Sequence, residues 1–129
     1  VRRLFLLLFV AALVGCKAGG SAKTYAPEDV VSAMKDQGFK VEKVTELAKM
    51  FNIDRGLRAD VEGEDFGVQV LAFDLSSDQG RKGLELVESM ASTEPLKGTT
   101  ESRMKGNLRI SWNKKFRQRD RILKAIDSL

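Results

Sequence analysis

No histidine occurs anywhere in the 129 residues, and the only cysteine is Cys16. These absences exclude a disulfide within the chain, thiolate zinc sites, imidazole metal sites and every histidine-dependent catalytic triad. General acid and base work at neutral pH would fall to Asp, Glu, Lys or the one tyrosine, Tyr25. A glycine-rich phosphate loop is missing too. Gly80 and Gly83, with Arg81 and Lys82 between them, fall inside a helical period and are expected to soften a helix rather than cradle phosphate. No enzyme and no cofactor are expected. What the chain does hold is 43% apolar and 31% charged residues, a globular composition in a length that suits one domain with its own core.

The N-terminal segment reads as an address. Arg2 and Arg3 precede an unbroken apolar run of eleven residues, Leu4 to Val14, which closes on Gly15 and Cys16. As a helix the run extends about 16 Å against a hydrocarbon core of about 30 Å, so it is too short to span and reads as a signal. Leu13-Val14-Gly15-Cys16 resembles the lipobox of bacterial lipoprotein signal peptides. The resemblance covers residues 1–16 only and implies diacylation of Cys16 on sulfur with cleavage just before it. Two or three acyl chains, at about 0.8 kcal/mol per buried methylene, hold a small domain on a bilayer. The alternative is an ordinary secretory signal that leaves Cys16 a free thiol. Lys17 stands where aspartate, in the lipoproteins this segment resembles, often favours inner-membrane retention. The expected location is therefore the periplasmic face of the outer membrane in a Gram-negative cell, and otherwise the outer leaflet of the cytoplasmic membrane.

Three parts follow: a signal peptide at 1–15, the lipidated cysteine with a flexible tether at 16–26, and a single domain at 27–129. The tether is small and polar without apolar period. Pro27-Glu28-Asp29 starts a helix that Gly38 stops. Phe39 to Val44 suggests a strand, and Thr45 to Phe51 reads as a helical turn or a continuation of extended chain, the helix being preferred. Leu57, Ala59 and Val61 alternate with charged residues as in a half-buried strand, and Gly63-Glu64-Asp65 turns the chain. The apolar stretch Phe66 to Leu75 is expected as a central strand covered on both faces. Ser76 or Ser77 caps a helix with its stripe at Leu84, Val87 and Met90. Gly106-Asn107 joins two strands as a hairpin, and Phe116, Ile122, Leu123 and Ile126 give the last helix its apolar side. The expected fold is α+β, one antiparallel sheet of about four or five strands with about three helices, and a monomer.

Two charge features are candidates for function. Asp60, Glu62, Glu64 and Asp65 could supply a calcium site, but twelve residues from Asp60 end on Leu71 where an EF-hand needs a glutamate. The plainer reading, an edge strand's wet face, is preferred, and no metal is expected. The second feature is the C-terminal segment: residues 103–129 hold nine basic and two acidic side chains, whereas 17–102 hold eleven and sixteen. Arg103, Lys105, Arg109, Lys114, Lys115, Arg117 and Arg121, around Trp112 and Phe116, form a candidate surface for an anionic ligand or a partner, beside the alternative of a merely solvated face. Nucleic acid is not an expected partner, since no helix-turn-helix or RNA-stacking motif is present. The leading expectation is a non-catalytic envelope lipoprotein, held by acylated Cys16, whose domain docks a protein near the membrane. The alternative is a module that binds phospholipid, lipopolysaccharide or cell-wall polymer through the basic lobe.

Overall fold

The computed structural model describes residues 23–129; the signal sequence, Cys16 and most of the tether lie outside the described residues. The fold is α+β, with helices α1 (Pro27–Asp36), α2 (Asp78–Ala91) and α3 (Arg119–Asp127) and strands β1 (Val41–Glu46), β2 (Arg55–Val61), β3 (Val68–Ala72), β4 (Thr100–Lys105) and β5 (Leu108–Asn113). The strands form one antiparallel sheet in the order β1-β2-β3-β5-β4, so β3 is central as expected.

Local chemistry explains the boundaries. Pro27 opens α1, and the Asp29 carboxylate accepts from the Ala26 N–H at 2.9 Å. At its other end Gly38 takes a φ of +88°, and the N–H groups of Gly38 and Phe39 donate to the Lys35 and Met34 carbonyls, which caps α1 and turns buried Phe39 into the core. Ser77 accepts from the Gly80 N–H at 3.0 Å and caps α2. Lys105 pairs with Leu108 across a two-residue turn whose first position, Gly106, has a φ of +55°.

The period of two divides the sheet into unlike faces. Leu57, Ala59 and Val61 of β2, Val68, Val70 and Ala72 of β3, and Leu108, Ile110 and Trp112 of β5 meet Val30, Val31 and Met34 of α1 and Ile122, Ala125 and Ile126 of α3 in one continuous core. At roughly 1.5–3 kcal/mol per buried large side chain, this layer supplies most of the stability. The opposite face carries only α2, which buries just two of its residues, Gly80 and Gly83.

Three expectations change here. The segment 45–51 is not helical. Thr45 and Glu46 belong to β1, and the Leu47 N–H donates to the Gly56 carbonyl at 2.9 Å, so pairing with β2 overrides the helix-like spacing of Leu47, Met50 and Phe51. In α2, Leu84 and Val87 are only half-buried and Met90 is 39% exposed, because the helix lies on the sheet's partly covered face. Gly80 and Gly83 do more than soften it. A Cβ on Gly80 would stand 1.9 Å from the Asp74 carbonyl oxygen, and one on Gly83 would stand 2.2 Å from that of Phe51. Both glycines let α2 approach its neighbours.

Candidate docking surface

The sheet has two ends that matter for function. Glu46, Arg55, Ala72, Lys105 and Leu108 mark the near end, and Val41, Val61, Val68, Thr100 and Asn113 mark the far end. The chain enters at the near end. The Tyr25 N–H donates to Asn107 Oδ1 at 2.7 Å, and Asn107 Nδ2 donates back to the Tyr25 carbonyl at 3.1 Å. This clip ties the last residues before α1 to the β4–β5 hairpin, so a tether from Cys16 would meet the domain there. Carboxylates prevail around this end: Asp54 and Asp74 line a hollow shared with Lys23, and Arg55 is held between Glu28 and Glu46. The Arg55 guanidinium keeps the Glu28 carboxyl below its ordinary range, and the Ser76 hydroxyl does the same for Asp74.

The seven basic residues of the candidate surface do not act as one. Arg109 is 4% exposed, on the sheet's α2 side, and donates from Nε to Glu88 Oε1 at 2.8 Å. It is removed from the surface because its strand neighbour Leu71 and helix α2 cover it. Arg103 and Lys105 share the opposite sheet side with Ile110 and Leu108, on the edge strand β4. Lys114, Lys115, Arg117 and Arg121 gather at the far end. Arg117 faces Asp65 at 3.7 Å, and Arg121 lies over the Phe39 ring, 5.7 Å from its centre. Arg119, outside the seven, binds Glu101 at 2.6 Å; that guanidinium, with help from the Trp112 indole N–H, holds the Glu101 carboxyl below its usual value.

The carboxylate cluster also divides. Asp60 pairs with Arg58 at 3.3 Å and Glu62 with Lys40 at 3.4 Å, while Glu64 accepts from the backbone N–H groups of Arg117 and Gln118 at 2.8 and 3.1 Å, at the start of α3. The strand beneath it, β2, is flanked by β1 and β3 and is not an edge. Among the described residues no group of three Asp, Glu, Cys or His side chains is placed to hold a metal ion. A Ser-x-x-Lys spacing, which some hydrolases use, occurs at Ser32–Lys35, Ser102–Lys105 and Ser111–Lys114, but Lys35 and Lys114 are exposed and Lys105 only partly covered, so none has the desolvation a general-base lysine needs.

The feature that periodicity concealed is apolar. Among the described residues eight large hydrophobic side chains are exposed, and six lie on or beside α2: Leu86 and Met90 on the helix, Met50 and Phe51 in the loop touching Gly83, Leu96 just after the helix, and Met104, the register partner of Arg109. The helical spacing of Leu84, Val87 and Met90 reads as core, and nothing in it says that the receiving surface is narrow. No described helix is long and apolar enough to cross a membrane. Comparison with protein-family models, with curated proteins and with solved structures finds no match.

Proposed function

We propose that the protein is a lipid-anchored bacterial cell-envelope lipoprotein without catalytic activity, whose domain docks a partner protein beside the membrane. The anchor rests on the run from Arg2 to Cys16. The docking role rests on one observation, the six exposed apolar side chains on or beside α2, the helix that buries least of itself against the fold. The Tyr25–Asn107 clip sets where the described chain enters, at the near end of the sheet, and α2 lies apart from it along the domain's side.

Binding of an anionic envelope component through the basic lobe has less support. Arg109 is covered, Arg117 and Arg119 face carboxylates, and Lys114 and Lys115 lie at the end away from the tether. Salt separates the readings, since apolar docking survives ionic strength that screens exposed charges. With a photoreactive residue at Leu86 of the full chain in cells, the expected result is a discrete protein adduct, retained at raised salt and lost on Met90→Glu. Adducts that form only from position 115 and vanish at raised salt would favour the anionic reading instead.

A further inference from the structure

The face of the sheet that carries α2 is covered only toward the near end, where Gly56, Leu71 and Arg109 lie. Toward the far end it opens into a groove of about 450 Å³, with Arg58, Asp60, Gln69 and Ser111 on its floor and the β2–β3 turn as one wall. The hollow is shallow and open, so a ligand would lie along it rather than be enclosed. We propose that this groove binds an uncharged glycan.

The charges decide the ligand class first. Among the described residues Arg58 is the only cation lining the groove, and its Nε lies 3.3 Å from Asp60 Oδ1; the other lining carboxylate, Asp65, faces Arg117. With both signs locally compensated, the groove offers an anion or a cation no surplus attraction. What remains is a dense set of paired donors and acceptors. The Gln69 and Asn113 amides, the Ser111 and Thr100 hydroxyls and the half-exposed Arg58–Asp60 pair can each give and take hydrogen bonds, as neighbouring hydroxyls of a sugar ring require. Phe66 stands on the wall with 42% of its surface exposed, an apolar plate against which the C–H face of a sugar can lie.

Gly67 sets how closely the turn approaches the Arg58–Asp60 ion pair. This glycine has no positive φ, so backbone conformation does not require it. A Cβ there would come within 2.7 Å of Asp60 Oδ1 and 2.8 Å of Arg58 Cγ. Without a Cβ the turn lies close against the ion pair, whose side chains stay partly exposed, and against the Ala59 carbonyl of the neighbouring strand at 3.0 Å. The shape and charge of the groove are independent of the lipid anchor, whose role is only to say where a glycan would be met.

The test uses the purified full-length protein in a zwitterionic, sugar-free detergent and follows the heat of titration by isothermal calorimetry, because the Trp112 indole is buried on the other face of the sheet and would not report on the groove. The probes are a β-1,4-linked N-acetylglucosamine tetramer and maltotetraose. Saturable binding of either, insensitive to salt and weakened about tenfold or more by Phe66→Ala and by Gln69→Ala with thermal midpoints unchanged, is the expected result. No saturable change with either glycan, binding unaffected by both substitutions, or binding abolished by salt overturns the proposal. Because lipidation is scored separately, loss of the anchor and loss of the site give different results.

Discussion

A methyl group at position 83 would stand 2.2 Å from the Phe51 carbonyl oxygen and 3.2 Å from the Asn52 Cβ. Phe51 and Asn52 already hold φ values of 55° and 57°, a conformation that asparagine tolerates but that is uncommon for phenylalanine, so this loop has little room to yield. Alanine is worth up to ~1 kcal/mol over glycine within a helix, but backbone overlap costs about 1–3 kcal/mol, and overlap wins. Gly83→Ala is therefore expected to lower stability in denaturant unfolding, where propensity alone predicts a gain. The carboxylates give a second check. Glu28 and Glu101 are held below their ordinary values by Arg55 and Arg119. A depressed carboxyl contributes stability that is present above its unfolded value, near pH 4, and is lost as pH falls through the folded value. The thermal midpoint should drop on acidification below about pH 4. Glu28→Gln with Glu101→Gln should start lower at neutral pH and show a shallower acid decline.

Helix α2 is the element most loosely joined to the fold, and Arg109 is its latch. Glu88→Ala would leave that buried guanidinium without its carboxylate, at a cost of about 1–3 kcal/mol, seen as faster hydrogen exchange across 84–91 while the sheet stays protected. Arg109→Met, which removes the charge along with its partner's task, is expected to be nearly neutral. On the other side of the sheet, Ile122→Ala in α3, with no exposed surface to begin with, should cost about 2–5 kcal/mol. These elements differ in how far the sequence discloses them. Pro27, Gly38, Ser77 and Gly106-Asn107 are readable because each acts on its own backbone. The strand end at Thr45 and Glu46 is not, because their partners Arg58 and Leu57 lie across a loop. Exposure of Met90 and burial of Arg109 are concealed for the same reason: a side chain's period does not tell how much of the opposing face is filled. The groove at Arg58, Gln69 and Ser111 is a property of register between strands distant in sequence.

Taken together, the domain is a two-faced sheet with one well-packed layer and one sparsely covered layer, clipped by Asn107 to the chain that leads back to Cys16. Asn107→Ala should free the Tyr25 amide to exchange and cost about 1 kcal/mol of stability, while leaving the core unaltered. The clip matters only if something lies at the other end of the tether, which makes the modification of Cys16 the claim on which the functional account rests. The most direct measurement is mass spectrometry of the N-terminal peptide of the mature protein isolated from its native cells, with Cys16→Ser as control. The account predicts a chain that begins at Cys16 carrying diacylglycerol, and a Cys16→Ser protein that leaves the membrane fraction. A mature chain that begins elsewhere, or retains Cys16 as an unmodified thiol, would contradict it.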